Sequence, residues 1–415
     1  MNEIKTFSEP FTFLQKIILI GCQNNVSDIH INPKKDNVII NMRVADTLHT
    51  YCKIEKNDYN KFFNFIKDKA GIKYEPKEYN PKIGKIKLKL KFKGKDININ
   101  LRISVITSIF GENIVIRILV DDENLLNIEK LGYINEDYEK IKSIKSFRNG
   151  LVLVSGETGS GKTTTLYSIL NMFNTSKKSI YTIEDPVEYE NDSFVQSELN
   201  SNNSDEEDKQ ALNKWIKGIL RQDSDLIMIS ELKEKESSSI CLQAANTGHL
   251  VFAGIHSNSG IGVINRLKQL GIESYLISSG LKMIIFQKIV KKLCNKCKVE
   301  LDISNNSELK QDFDLLNNKN NPGGVIISGD KIYNANEKGC EFCKNGYSGL
   351  TLITEVIEID DKLSQMIFEN KSINDIKNHI IQTNNKLIYN DALVKAKNGI
   401  IDFSSLIQIK QESMF

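Results

Sequence analysis

The strongest structural signal in this sequence lies at residues 156–163, which read Gly156-Glu157-Thr158-Gly159-Ser160-Gly161-Lys162-Thr163. The spacing is G-x-x-x-x-G-K-[ST]; an apolar run, 151–154, precedes it and a segment of helical pattern, 164–170, follows. A strand, a glycine-rich turn and a helix in this order form a loop that holds the phosphates of a nucleotide. The glycines let backbone N–H groups point at the α- and β-phosphates from a helix N-terminus.

Two side chains of this loop have distinct predicted roles. Lys162 reaches the β- and γ-phosphates, and the Thr163 hydroxyl is placed to ligate Mg²⁺. A glycine-rich turn that fits the spacing by chance is the alternative, but both flanking segments fit the functional interpretation. The sequence therefore predicts binding of a nucleoside triphosphate with Mg²⁺. The candidate nucleotide-binding residues of the loop are Gly156, Thr158, Gly159, Ser160, Gly161, Lys162, Thr163 and Thr164.

Composition limits the class of protein. A chain of 415 residues is long enough for two or three domains with a core each. The net charge of +2 argues against a bulk electrostatic interaction with nucleic acid or with a membrane. No apolar run has the length of a transmembrane helix, and no signal-peptide pattern opens the chain. Seven cysteines, an odd number, fit a reducing compartment better than a disulfide framework. We expect a cytoplasmic protein.

The amino-terminal region is predicted to be a small α+β domain. A helical pattern covers 11–22, and strands are expected at 28–31 and 38–44. Residues 83–105 alternate between apolar and polar side chains around a turn, which indicates a hairpin with one wet face. That face carries Lys85, Lys87, Lys89, Lys91 and Lys93. Such a stripe is usually a solvated face that protects a strand, and docking of an acidic partner or of lipid headgroups is the alternative.

The middle of the chain predicts an α/β fold. Short apolar runs at 151–154, 179–183, 225–229 and 250–255 alternate with helical segments. This alternation is typical of a mostly parallel sheet with helices on both faces. The predicted division of the chain is an amino-terminal domain, a linker, a nucleotide-binding core, a cysteine module and a helical carboxyl-terminal subdomain, at residues 1–120, 121–145, 146–290, 291–350 and 351–415.

Acidic residues follow two of the predicted strands. Glu231 comes directly after the run 225–229, in the pattern of a Walker B segment, where an acid holds Mg²⁺ or polarises the attacking water. Glu184 and Glu188 follow the run 179–183. Ligands in such sheets bind beyond the carboxyl ends of the strands, so these acids are candidates for orienting water or metal. The alternative for the second group is a charged surface turn.

Two histidines bracket the apolar run 250–255. His249 precedes it and His256 follows it, so the two lie at opposite ends or faces and cannot easily share one metal ion. His256 is at the carboxyl end, where it is better placed to sense a γ-phosphate. A single histidine is more often a hydrogen-bonding residue of the fold, and spacing alone does not decide between these interpretations.

Four cysteines have the spacing of metal ligands. They form two C-x-x-C pairs, which suit a tetrahedral Zn²⁺ site that folds a small module. A single pair could be a redox couple, but two pairs favour structural zinc. The candidate ligands are Cys294, Cys297, Cys340 and Cys343.

Taken together, these motifs resemble the secretion traffic ATPases, the GspE/PilB group of type II secretion and type IV pilus assembly. Residues 182–189, Thr-Ile-Glu-Asp-Pro-Val-Glu-Tyr, are similar to the acidic box of that family. Residues 220–223 are similar to its Walker B approach, and residues 247–251 with His256 to its histidine box. Residues 27–30 and 111–119 resemble the opening and the exit of its amino-terminal domain.

The resemblance implies a fold and an activity. It implies a RecA-like P-loop domain, a smaller PAS-like amino-terminal domain, and a zinc module that retraction motors of the family lack. It further implies a ring, typically a hexamer, that uses ATP at the cytoplasmic face of the cell membrane with an inner-membrane platform protein as partner. By resemblance, Arg43, Arg102 and Arg117 would reach the nucleotide, and Arg221 joins the catalytic candidates Glu184, Glu188, Glu231 and His256.

The chain departs from the family pattern at several charged positions. Arginines expected there appear as Lys217, Lys233 and Lys288. Lysine is a point charge that cannot reproduce the bidentate fork of arginine. The main hypothesis is an ATP-hydrolysing assembly motor, and the alternative is a nucleotide-binding ring scaffold that hydrolyses little. A nucleic-acid motor is disfavoured because basic and aromatic residues are not interleaved, so no nucleic-acid partner is expected.

Overall fold

The chain forms two compact units, residues 1–123 and 124–415. The computed structural model describes residues 9–24, 26–44, 47–72, 82–92, 94–120, 126–173, 176–199, 205–301, 331–343, 345–383 and 385–413. The break between the units falls inside the expected linker 121–145. The finer division into a core, a cysteine module and a helical tail stays a prediction.

The first unit is a six-stranded antiparallel sheet with two helices. The strand order is β3-β2-β1-β6-β5-β4, and apolar side chains of both helices join the core of this unit. Its elements are α1 (Pro10–Gln23), β1 (Val26–Pro33), β2 (Val38–Val44), β3 (Thr47–Ile54), α2 (Lys56–Lys69), β4 (Lys82–Phe92), β5 (Lys95–Ser108) and β6 (Gly111–Val120).

The alternating pattern at 83–105 does form a hairpin, between β4 and β5. Along β4, Ile86 and Leu90 point into the core, and Lys85, Lys87, Lys89 and Lys91 are exposed. Because β4 is the edge strand, the lysines also hinder pairing with another sheet. Lys93 lies outside the described residues.

The second unit contains a seven-stranded sheet of order β15-β12-β7-β11-β10-β8-β9. All neighbouring pairs are parallel except β15 with β12. A short pair, β13 (Val299–Glu300) and β14 (Tyr333–Asn334), lies apart from it. The sheet strands are β7 (Gly150–Ser155), β8 (Ile180–Glu184), β9 (Val195–Glu198), β10 (Leu226–Ile229), β11 (Leu250–Ile255), β12 (Leu281–Leu293) and β15 (Tyr347–Glu358).

Helices cover both faces of this sheet, as the alternation of runs predicts. Leu151 and Leu153 of β7 belong to one apolar cluster, whereas Val152 and Val154 belong to another on the opposite face. The helices are α3 (Asn135–Ser143), α4 (Lys162–Leu170), α5 (Asp205–Ile219), α6 (Lys235–Asn246), α7 (Gly260–Gln269), α8 (Ser274–Gly280), α9 (Asp361–Phe368), α10 (Ile373–Gln382), α11 (Ile388–Lys397) and α12 (Phe403–Ser413). Within the described ranges, none of the helices has the length and apolar character that crossing a bilayer requires.

Three strands of the sheet, β9, β12 and β15, have no counterpart among the predicted runs. β12 extends past residue 290, where the sequence pattern places the start of the cysteine module, and β15 pairs with it over most of its length. The outer half of β12 mixes lysines with apolar residues without strict alternation, so its periodicity is a weaker signal than that of a fully buried run. The fold is thus the α/β class expected, with a larger sheet.

Candidate nucleotide site and cysteine cluster

The phosphate loop joins the carboxyl end of β7 to the start of α4. Gly156, Gly159 and Gly161 have φ values of 151°, 82° and 82°, which favour glycine. A Cβ at Gly156 would lie 2.4 Å from the carbonyl oxygen of Gln287 and 2.5 Å from the Ser160 hydroxyl oxygen. The first glycine is therefore required by close packing as well as by backbone conformation.

Lys162, His256 and Glu231 meet at the mouth of this loop. Lys162 Nζ donates to the carbonyl oxygens of Gly156 and Glu157 at 2.9 and 3.0 Å. The Nδ1 atom of His256 is 3.4 Å from Lys162 Nζ, and its Nε2 atom is 2.7 Å from a carboxylate oxygen of Glu231. The three side chains come from three elements whose ends converge at one edge of the sheet, as the sequence predicts.

Hydrogen-bond chemistry limits the state of His256. The Nε2 proton is donated to Glu231, because a carboxylate can only accept. Nδ1 then either accepts from Lys162 in a neutral ring, or carries a second proton and donates to the Gly156 carbonyl oxygen, 3.1 Å away. In both states the imidazole joins the loop to the Walker B acid.

Burial lowers the pKa of Lys162, and the negative charges of Glu231 and Glu188 oppose that shift. An ammonium group that is partly desolvated gains more from a phosphate than one in bulk water does. Glu188 is half-buried and close enough to Lys162 to act on its charge. The site thus places the Lys162 ammonium group near two carboxylates, where it can bind an anionic ligand such as a phosphate.

Glu184 occupies a different environment from the other candidate acids. It is fully buried, and its Oε1 atom accepts from the hydroxyls of Tyr167 and Thr182, both at 2.6 Å, and from Gln196 Nε2 at 3.3 Å. Burial raises the pKa of Glu184, although the three donors oppose the shift. In this arrangement the carboxyl group connects β8 to α4, the helix that follows the phosphate loop.

The structure does not bring Arg221 to the loop. It is exposed in the turn after α5 and before the amino end of β10, whereas the phosphate loop follows the carboxyl end of the parallel strand β7. Arg221 therefore lies at the other edge of the sheet. Its catalytic role stays a prediction, and within one chain the geometry does not support it.

Two of the lysines that replace expected arginines border the site. Lys233 Nζ is 3.5 Å from Glu231, and Lys288 Nζ is 3.7 Å from Glu157 of the loop. Lys288 also pairs with Glu412 of α12. The third, Lys217, pairs with Glu236 at 3.3 Å.

Within the first unit, the three candidate arginines lie in one row. Arg102 faces Arg117 in register, Arg117 faces Asp28, and Asp28 faces Arg43 on the next strand. Residues directly opposite in a sheet share a face, so the row is cationic with Asp28 inside it. Arg117 Nε is 2.9 Å from Asp28 Oδ1. We call Arg102, Arg117, Asp28 and Arg43 the arginine row.

The four cysteines of the two pairs come together. All their sulfur atoms lie within 4.8 Å of one another, and neighbouring pairs are 3.4 to 3.8 Å apart. A tetrahedral site with Zn–S bonds of about 2.3 Å has sulfur–sulfur edges of roughly 3.8 Å, so the cluster fits Zn²⁺. The cluster could therefore hold zinc.

The sequence patterns missed several residues of the site. Tyr167, Gln196 and Gln287 are polar partners of the acidic box and of the loop, and Glu412 reaches Lys288 from a distant helix. Gln287 had a usable signal, since it interrupts a buried apolar strand and must find hydrogen-bond partners there. The others follow from tertiary packing, for which the sequence contains no local pattern.

Comparison with known proteins agrees with these motifs. The family described as type II/IV secretion system protein matches residues 7–408. The Thermus thermophilus type IV pilus assembly ATPase PilB is 31% identical over 95% of this chain, which spans 42% of that protein. The Vibrio cholerae type II secretion system ATPase E is 31% identical, with coverage of 94% of this chain and 73% of that one. A solved structure, the Legionella pneumophila ATPase DotB, has a TM-score of 0.69 at 17% identity and covers 99% of both chains, which shows the shared fold. With the phosphate loop, the acidic box and the cysteine cluster in place, the chain belongs to the type II/IV secretion system protein family.

Proposed function

We propose that this chain is a Mg²⁺-dependent ATPase that powers assembly of a type IV pilus or of a type II secretion pseudopilus. The observation that carries the proposal is the contact of Lys162, His256 and Glu231 at the mouth of the phosphate loop. A nucleotide placed on this loop would put its γ-phosphate near a cation that binds phosphate and near a carboxylate that can hold Mg²⁺ or position water, with His256 between them. Glu231 would orient water or the Mg²⁺ shell, and Thr163 would ligate the ion.

The assembly and its partners are part of the same proposal. We propose a ring, typically a hexamer, at the cytoplasmic face of the cell membrane, in contact with an inner-membrane platform protein. Support comes from the curated relatives, which are named as pilus assembly and secretion ATPases.

The test is phosphate release by the purified chain with MgATP, alongside Lys162→Ala, with the oligomer mass measured by light scattering. We expect turnover that appears with a ring and is lost in Lys162→Ala, because the loop then lacks its phosphate-binding cation. Lys214→Ala, an exposed lysine of α5, is the matched control and should keep full activity. Turnover that is unchanged in Lys162→Ala would refute the proposed site.

A nucleotide-binding ring scaffold is the second candidate function. It is favoured by Lys233, which contacts Glu231, and by Lys288, which contacts Glu157, where the family pattern has arginines. A single point charge stabilises a phosphoryl transition state less well than a planar fork does. Tight ATP binding, with turnover no higher than that of Lys162→Ala in the assembled ring, would select the scaffold over the motor.

A further inference from the structure

One buried amide holds the phosphate loop and the helix behind it. Gln287 of β12 is fully buried, and its Nε2 atom donates to the carbonyl oxygen of Ser160 at 2.6 Å. Its Oε1 atom accepts from the Thr165 hydroxyl of α4 at 2.8 Å. The two contacts lie on either side of Gly161 and Lys162 along the chain.

The strand that carries Gln287 is in register with the loop. Phe286 pairs with Ser155, the last residue of β7, so the next residue of β12 lies beside the first residue of the loop. The carbonyl oxygen of Gln287 is accordingly close to the Cα of Gly156, where a Cβ would come within 2.4 Å of it. Both the backbone and the side chain of Gln287 thus face the loop.

Packing alone does not explain an amide at this position. The preceding residues of β12, Met283 to Phe286, are all apolar and at most 1% exposed. A buried amide without partners destabilises a fold by roughly 1–3 kcal/mol, so a strand of the core selects against it unless partners are present. Here the strong partners, Ser160 and Thr165, belong to the loop and to its helix.

The contact with Ser160 also fixes the direction of a backbone donor. A trans peptide is planar, and its carbonyl and N–H bonds point in opposite directions. With the Ser160 carbonyl turned toward Gln287, the N–H of Gly161 points away from β12. Backbone N–H groups are what a phosphate loop offers to its ligand.

We propose that Gln287 is a positioning residue of the nucleotide site, which holds the Ser160–Gly161 peptide in the orientation that binds phosphate. The inference rests on nucleotide binding at this loop and not on turnover. A loop without this contact can rotate that peptide, so part of the binding free energy is used to restore its orientation. The expected consequence is weaker binding of every ligand that carries phosphates on the loop.

The experiment measures equilibrium binding of MgATP and MgADP to the full-length chain for wild type, Gln287→Met and Gln287→Glu. Met keeps the length of the side chain and removes both hydrogen-bonding groups. Glu keeps the acceptor for Thr165, and at a pH where its carboxyl group is ionised it has no donor for Ser160, so binding to this variant is measured at that pH. We expect Kd to rise about tenfold or more in both variants, because a tenfold rise corresponds to the free energy of about one hydrogen bond. Where hydrolysis is measurable, KM should rise with kcat little changed.

Thr354→Val is the matched control. Thr354 faces Gln287 in register on β15, is equally buried, and bonds to Asp137 but not to the loop. The Thr354→Val variant should have a lower melting temperature than wild type, and its Kd for MgATP and MgADP should be unchanged. The inference is overturned if Gln287→Met and Gln287→Glu bind MgATP within twofold of wild type, or if Thr354→Val weakens binding as much as they do.

The same measurements separate this inference from the proposed function. Binding that depends on Gln287 in a chain without turnover supports the positioning role and refutes the motor. A wild-type chain that binds neither nucleotide refutes both. If Gln287→Met unfolds, Thr165→Val gives the comparison, because it removes the hydroxyl that the Gln287 amide accepts from and keeps an apolar side chain of similar size.

Discussion

At the scale of single residues, His256 makes more contacts in the site than its position in the sequence indicates. It is a single histidine at the end of a strand, but both of its ring nitrogens are engaged, one near Lys162 and one with Glu231. The contact ties the Walker B acid to the phosphate loop before a nucleotide is present. A γ-phosphate would compete for Lys162, and in the neutral state of the ring a shift of that ammonium would remove the hydrogen bond that Nδ1 accepts from it.

The role of Glu231 can be tested by Glu231→Gln. The amide has the same shape and can accept the Nε2 proton of His256, so the site should keep its geometry and its affinity for ATP. It cannot act as a base or hold Mg²⁺ as a carboxylate does, and we expect turnover to fall by about 100-fold or more. Nucleotide binding and phosphate release, measured on one preparation, check this. Glu236→Gln, an exposed acid of the nearby helix α6, is the control, and near-normal turnover in Glu231→Gln would remove the acid role.

At the scale of elements, the cysteine cluster closes the end of a strand pair. Cys294 directly follows β12, and its N–H donates to the carbonyl oxygen of Gly346, the residue before β15, at 2.8 Å. Leu293 N–H donates to Ile400, between α11 and α12, at the same distance. A metal at the cluster would therefore stabilise the ends of β12 and β15 and the packing of the last two helices against them.

Cys297→Ser tests the metal proposal. We expect the wild-type chain to contain about one zinc ion, and the variant to release it, because three thiolates and a hydroxyl hold Zn²⁺ far less tightly than four thiolates. The melting temperature of the second unit should fall with it. Metal analysis and thermal unfolding are the measurements, and Cys22→Ser, a half-buried thiol of the first unit, is the control. Unchanged metal content would exclude the tetrathiolate site.

A second element-scale prediction concerns pH. Asp137 of α3 is buried, and its Oδ2 atom accepts from Thr354 of β15 at 2.8 Å. Burial raises its pKa to about 6; the Thr354 hydrogen bond and the cations Lys140 and Lys395 oppose the shift, whereas Asp391 adds to it. The folded state therefore binds this proton more tightly than the unfolded state, for which the ordinary value is 3.8.

The sign of the effect follows by linkage. Protonation of Asp137 stabilises the folded state fully at low pH, and this stabilisation is lost as the pH rises from about 4 to about 6. Above that range the free energy of unfolding is lower by about 3 kcal/mol. Asp137→Asn removes the charge, so the gain in melting temperature over wild type should be larger at pH 7 than at pH 4. Asp192→Asn, an exposed aspartate, is the control. An equal gain at both pH values would show that Asp137 does not titrate in this range.

At the scale of the whole molecule, the sequence predicted the features that follow a local spacing of residues. The phosphate loop, the amphipathic hairpin β4–β5 and the paired cysteines each have a fixed spacing, so their positions could be read directly. Contacts between distant segments had no such pattern. The hydrogen-bond partners of Glu184 and the hydrogen bond from Gln287 to Ser160 depend on strand order and register. The arginine row likewise needed the register of four strands to become visible.

The arginine row gives the last prediction, because the family resemblance implies that its three arginines reach the nucleotide. Arg102 lies between Arg117 and Lys85 in register, and like charges directly opposite in a sheet destabilise it. Arg102→Ala should therefore leave the melting temperature unchanged or raise it. If the row contacts phosphates, as the family resemblance implies, the same variant should lower turnover at saturating MgATP by about tenfold, the loss of one charge-assisted contact.

Lys89→Ala is the control for the arginine row, since Lys89 is exposed on the neighbouring strand and faces Asn98 in register. It changes the net charge of the first unit by the same amount and should leave turnover unchanged. A stable Arg102→Ala variant with full turnover would show that the row only shapes the surface of the sheet. If the variant keeps the melting temperature of wild type and has reduced turnover, loss of folding does not account for the reduced turnover. That result would support the contact with phosphate that the family resemblance implies for Arg102.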